Sequence, residues 1–193
     1  MTLRAPFPWF GGKSRAAGFI WDHLGDVPNY VEPFFGSGAV LLARPHEAKT
    51  ETVNDLDCYL ANFWRAVQAD PEAVARWADW PVNEADLQAR HLWLVHQVEF
   101  RERMKNDPDY YDPKIAGWWV WGLSAWIGTG WCSQRGDGCA HGLPHLGDAG
   151  MGVHRKLPHL GNAGMGIQEW FEALRDRTRR VRVACGDWTR VLG

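Results

Sequence analysis

Several things are scarce in this 193-residue chain, and each scarcity excludes a class of protein. Cysteine is rare. Cys58, Cys132, Cys139 and Cys185 show no disulfide-scaffold spacing, which points to a reducing, cytoplasmic setting. No apolar run reaches the length of a membrane span. Met1 leads into polar and aromatic residues without an apolar core or small-residue cleavage site, so no secretory leader is expected. Excess charge is also missing. The formal net charge is −2, so any contact with nucleic acid must come from a local basic face.

Two nucleotide fingerprints are incomplete. A phosphate loop at Gly12-Lys13-Ser14 would need a glycine where Phe7 stands. A dinucleotide turn at Gly36-Ser37-Gly38 would need a third glycine where Leu41 stands.

What is present is a globular composition, 46% apolar, long enough for one domain with an insertion or two small ones. The organising stretch is Tyr30 to Leu42. Tyr30 and Val31 suit a short buried strand, and Pro33 ends it. Gly36 and Gly38 allow a tight turn with close approach to the main chain, and Ala39 to Leu42 open an apolar helix. Strand, Gly-x-Gly and helix in that order form a cofactor turn at the carboxyl end of a sheet strand. Glu32 stands before the turn, and Asp55 ends a second strand over 51–55. Acid at both places suits a ligand with a ribose and a cationic centre, such as S-adenosylmethionine, better than one with several phosphates.

Three motifs then carry a resemblance. Pro8-Trp9-Phe10-Gly11-Gly12-Lys13, Glu32-Pro33-Phe34-Phe35-Gly36-Ser37-Gly38 and Val53-Asn54-Asp55-Leu56-Asp57 stand in the order and spacing of Dam-type adenine-N6 DNA methyltransferases. The likeness covers about the first 70 residues and the last 25. It implies an α/β fold: an incomplete Rossmann-like methyltransferase sheet with a mainly helical target-recognition insertion. On that reading residues 1–70 hold the cofactor, 71–167 form the insertion, and 168–193 return to the core. The resemblance implies a cofactor site of Trp9, Gly11, Gly12, Lys13, Glu32, Pro33, Phe34, Gly36, Gly38 and Asp55, with Asp187 and Trp188 meeting the adenine. A tryptophan face beside a sulfonium is favourable through cation–π attraction, and Lys13 would pair with the methionine carboxylate or a nearby acid.

Helical periodicity predicts helices over 14–24, 56–67, 83–106, 115–127 and 167–180, with a returning strand over 181–185. Asp57, Asn83 and Asp112 are read as helix caps. In the long 83–106 helix, Leu87, His91, Leu94 and Val98 share a face. There are 13 tryptophans, five of them between Trp118 and Trp131. Trp118, Trp119 and Trp121 read as core, while Trp126 and Trp131 are left open between core and base stacking.

Residues 128–167 are glycine-rich, and Leu143-Pro-His-Leu-Gly-Asp-Ala-Gly-Met-Gly-Val153 recurs at 157–167 as Leu-Pro-His-Leu-Gly-Asn-Ala-Gly-Met-Gly-Ile. One reading is a recognition loop touching double-stranded DNA through His145, His159, Arg155 and Lys156; the other is a structural double turn. Cys132, Cys139, His141 and His145 have spacings that zinc tolerates, but the gap between the cysteines is wide and no metal is expected. Arg175, Arg177, Arg179, Arg180 and Arg182 form the strongest basic cluster, and Arg177, Arg179 and Arg180 are candidates for DNA phosphate.

The family transfers its methyl group at Asp-Pro-Pro-Tyr, which this sequence lacks. Asp107-Pro108-Asp109-Tyr110 comes nearest, but it follows a charged helical stretch and reads as a turn between helices. The expectation is therefore the N-terminal part of a bacterial or phage DNA methyltransferase. The alternatives are a non-catalytic module binding DNA and S-adenosylmethionine, or one half of a split enzyme whose second chain supplies the catalytic strand.

Overall fold

A computed structural model gives the fold and describes residues 3–9, 11–126, 130–132 and 166–192. Its centre is a three-stranded parallel sheet of β1 (Asn29–Glu32), β2 (Thr50–Asp55) and β3 (Arg182–Cys185), in the order β1-β2-β3. Val31 pairs with Thr52, which pairs with Arg182; Val53 pairs with Val183. Side chains alternate between the two faces. Tyr30, Glu32, Glu51, Val53 and Cys185 are buried on one face, while Asn29, Thr50 and Arg182 are exposed on the other. Tyr30 is buried as expected, but Val31 is only half-buried, because among the described residues the second face carries no covering layer.

Helix α1 (Ala17–Leu24) precedes β1, and α2 (Ala39–Leu42) follows it. Helix α3 (Cys58–Ala69) is the hub. Leu60, Phe63, Trp64 and Val67 are all fully buried, as their spacing predicts. The burial extends around the whole helix, because α3 has the sheet on one side and α7 (Pro113–Ala125) and α8 (Ile167–Thr178) on others. Asp57 caps α3, accepting from the N–H groups of Tyr59 and Leu60 at 2.9 and 3.3 Å. Two residues of α3 hold β3 and the residue before it: Arg65 donates to Val183 O at 3.0 Å, and Gln68 to Val181 O at 2.9 Å. Arg65 further reaches the carbonyls of Met104, Asp107 and Tyr110.

Between α3 and α7 lie α4 (Pro71–Ala78), α5 (Glu84–Val95) and α6 (Val98–Asn106). The expected single helix over 83–106 is thus two. His96 Nδ1 and Gln97 Nε2 lie within hydrogen-bond distance of Leu92 O and Trp93 O, and the chain turns there. Leu87 and Leu94 stay buried, but Val98 leaves their face and is 69% exposed, and Phe100 and Met104 take the core positions instead. The caps Asn83 and Asp112 form as read, accepting from Asp86 N and Ile115 N. Trp119 and Trp121 are core, and so are Trp126 and Trp131; Trp118 is half-buried. One continuous hydrophobic cluster joins sheet and helices.

Arg177 has a different role from the one expected of it. Its guanidinium lies 2.8 and 2.9 Å from the two carboxylate oxygens of Glu51, and it donates to Leu41 O at 2.9 Å. Arg44 holds the same carboxylate at 3.0 Å. Glu51 is 4% exposed, so two arginines share one buried acid. Burial makes pairing imperative, and Arg177 is drawn inward, away from solvent phosphate.

Candidate cofactor site

The glycine turn after β1 is shaped by its neighbours. Gly36 and Gly38 have φ of 56° and 73°, a left-handed conformation that disfavours a Cβ. A Cβ on Gly36 would stand 2.8 Å from Trp9 Cδ1, and one on Gly38 would stand 2.8 Å from the Trp64 ring. Trp64 also donates its indole N–H to Gly36 O at 3.2 Å. The turn is therefore clamped between a tryptophan from the N-terminal segment and one from α3.

A second clamp comes from β2. Phe35 N donates to Asn54 O, and Asn54 Nδ2 donates to Pro33 O and to Gly186 O. Asp55 Oδ2 accepts from Gly36 N and Oδ1 from Asp57 N. The carboxyl ends of all three strands are laced together.

Above this lacing is a hollow of about 250 Å³, lined by Trp9, Gly11, Gly12, Lys13, Phe34, Phe35, Gly36, Ser37, Ala39 and Asp55. It lies where parallel α/β sheets bind ligands, beyond the carboxyl ends of the strands. Trp9 is held edge-on to Phe7, with Trp119 behind both.

Lys13 turns to the nearby acid. Its Nζ lies 3.1 Å from Glu32 Oε1 and donates to Phe34 O at 2.6 Å. Glu32 sits beneath the hollow rather than on its wall. Tyr30 donates to its Oε2 at 2.7 Å, while Oε1 has the lysine charge beside it but no hydrogen bond of good geometry. Burial raises the Glu32 carboxyl above its usual range, against the lowering by Tyr30 and Lys13.

The sequence thus brings Trp9, Gly11, Gly12, Lys13, Phe34, Gly36 and Asp55 to one hollow, with Glu32 behind Lys13. Pro33 and Gly38 shape the turn but do not line the hollow. Asp187 and Trp188 stand at the same carboxyl rim, outside it. Asp187 accepts from Thr189 N and Oγ1, capping a short 3-10 turn over Trp188–Arg190, and Trp188 is half-exposed. Trp64 and Asn54 went unnoticed as positioning residues; a bulky aromatic opposite a glycine turn, and an amide beside the strand-ending acid, are the signals that mark them. Arg179 and Arg180 are exposed, but they precede β3 and stand at the opposite end of the sheet from the hollow. Arg155, Lys156, Cys139, His141, His145 and His159 lie outside the described residues; Cys132 is buried.

The family model for D12 class N6 adenine-specific DNA methyltransferases matches residues 9–113, more than half of the chain and every wall of this hollow. The chain belongs to that family. Two curated relatives, the DNA adenine methylases of Vibrio cholerae serotype O1 strains O395 and N16961, are each 32% identical to it over 95 residues. The match covers 49% of this chain and 34% of either relative. The matched part of this D12-class chain spans about a third of those relatives' length. Among its described residues no helix is long and apolar enough to cross a membrane.

Proposed function

We propose that this D12-class chain captures S-adenosylmethionine in the Trp9–Asp55 hollow and serves site-specific adenine-N6 methylation of double-stranded DNA. The observation that carries the reading is the convergence of three separated motifs on one hollow at the carboxyl end of a parallel sheet.

The residues fit the cofactor chemically. Asp55 gives one lone pair to each of two backbone N–H groups, and an ionised carboxylate has about four such sites. The remaining ones face the hollow and suit ribose hydroxyls. Glu32, beneath the hollow, holds Lys13 at 3.1 Å and so fixes the lysine at the wall, where its charge suits a carboxylate. Trp9 offers its ring to a cationic centre. The bound group would supply an electrophilic sulfonium methyl.

The helices from α4 to α7 are assigned to the DNA-facing side of the molecule. These 193 residues contain no Asp-Pro-Pro-Tyr, so we assign them cofactor capture and target contact, with the groups that activate the adenine amino nitrogen supplied from outside them. The setting that fits is the cytoplasm of a bacterium or of a phage's host.

Calorimetric titration with S-adenosylmethionine tests the assignment, with Asp55→Ala as control and circular dichroism to show that the variant folds. Saturable heat from the parent and its loss in the folded variant are expected; equal heats from both would remove the hollow as the site. Methyl transfer to an adenine-containing duplex by the 193 residues alone would contradict the division of labour.

A further inference from the structure

We propose that Cys58 and Cys185 are a redox-active pair, which a hydroperoxide joins as a disulfide, and that the closed pair locks the strand ends beneath the hollow. The proposal holds whatever ligand the hollow takes.

Two cysteines 127 positions apart in the chain meet at one point. Cys58 opens α3 and Cys185 ends β3. The Cys185 thiol donates to Cys58 Sγ at 3.6 Å, and neither cysteine is in a disulfide. Bonded sulfurs stand about 2 Å apart, so an approach of about 1.5 Å closes the pair. The register explains the meeting. Cys185 pairs with Asp55 in the sheet, and Cys58 follows Asp55 by one turn of chain, on the helix packed against that sheet.

The two thiols are unequal. The hydrogen bond from Cys185 holds the Cys58 thiol below its ordinary range, and Lys105 and Arg101 act the same way, against burial and Asp57. The same contact, with burial, pushes the Cys185 thiol up. Cys58 also stands at a helix N-terminus, which favours a thiolate. Attack on an oxidant therefore begins at Cys58.

The oxidant has to be small, because the cysteines are 1% and 2% exposed. Cys185 borders a hollow of about 750 Å³ along β3, shared with Arg65, Val183, Lys105 and Arg190, which gives a hydroperoxide its approach. The Cys58 thiolate attacks one peroxide oxygen and the O–O bond breaks. This leaves Cys58 as a sulfenic acid and releases water or an alcohol. The Cys185 sulfur then attacks the Cys58 sulfur, and its proton leaves with the displaced hydroxide as a second water. The two thiols lose two electrons and two protons, and the hydroperoxide takes up both.

Asp55 lies between the cysteines and shows what the link would lock. Its main-chain oxygen accepts from Gly186 N at 3.0 Å, beside Cys185, and its Oδ1 accepts from Asp57 N at 3.0 Å, beside Cys58. Its Oδ2 holds Gly36 N of the glycine turn. The disulfide would fasten covalently the segments that these hydrogen bonds lace together.

The test treats the reduced full chain with hydrogen peroxide at neutral pH, then alkylates it and maps its peptides without reductant. A joined Cys58–Cys185 peptide is expected, lighter by two hydrogens and separated by a dithiol. The oxidised chain should melt about 5 °C or more higher, since the link closes a long loop. Amide exchange at Gly36, Asp57 and Gly186 should slow. Cys58→Ser should lose the joined peptide and the melting shift. Peroxide treatment that yields no Cys58–Cys185 peptide overturns the pair, as does a link that forms faster in urea than in the folded chain. A link that leaves both melting and exchange unchanged overturns the lock.

Discussion

Asp55 Oδ2 accepts the main-chain N–H of Gly36 at 2.9 Å, so the last residue of β2 fixes the turn that follows β1. Its Oδ1 accepts Asp57 N at 3.0 Å, so the same side chain also sets the entry to α3. A neutral amide cannot accept at both positions, because its nitrogen would face a backbone donor. Asp55→Asn should cost about 1–3 kcal/mol in urea unfolding and weaken cofactor binding. Unchanged stability would show that the two hydrogen bonds contribute nothing.

Gly36 and Gly11 separate backbone strain from crowding. Both have positive φ, but a Cβ on Gly11 meets nothing within 4 Å, whereas one on Gly36 meets Trp9. Gly11→Ala should cost only the conformational term, about 1–2 kcal/mol. Gly36→Ala should cost more, displace Trp9, and lower affinity for S-adenosylmethionine at least tenfold in calorimetry. Equal affinities for the two variants would disprove the role given to Trp9.

The Arg44–Glu51–Arg177 triad should behave as one unit. Glu51→Gln leaves Arg177 without a counter-charge and Arg44 with only Asp26 at 3.6 Å, and should destabilise by about 3–5 kcal/mol. Arg177→Met should lower the melting temperature while leaving the salt slope of DNA binding unchanged. A normal melt with a reduced slope would return Arg177 to the DNA surface.

Burial pushes the Asp57 carboxyl up to about 6 from an ordinary 3.8, opposed by the Leu60 and Tyr59 N–H groups and reinforced by Asp55. A raised folded value means that the folded protein holds the proton more tightly than the unfolded chain. The stabilisation from this group is therefore full below pH 3.8 and is lost as pH climbs through about 6. Glu32, also raised, acts in the same direction. Asp57→Asn keeps a capping oxygen and should flatten the stability curve across that window. Urea midpoints from pH ~4 to ~7 measure it; a variant curve parallel to the parent's would sink the assignment.

The walls of the hollow were legible in the sequence because each is a short contiguous motif whose glycines and acids have few other uses. The break at His96-Gln97 was not. No proline or glycine marks it, and the only trace is a slip in phase: Leu87 and Leu94 are seven apart, but the next core residue is Phe100 rather than Val98. Arg177 misled because its partner, Glu51, is 126 residues away, and a run of arginines at a helix end looks the same whether or not one of them turns inward. Asp187 and Trp188 follow β3 and so stand at the carboxyl rim, but the local turn that Asp187 caps keeps them outside the hollow.

The pairing of Arg65 and Gln68 with the carbonyls of Val183 and Val181 has one more consequence. Those acceptors are spoken for, so an incoming strand finds no easy ladder beside β3. Among the described residues that edge is thereby a poor template for a further strand, and the small sheet is guarded on one flank by its own hub helix.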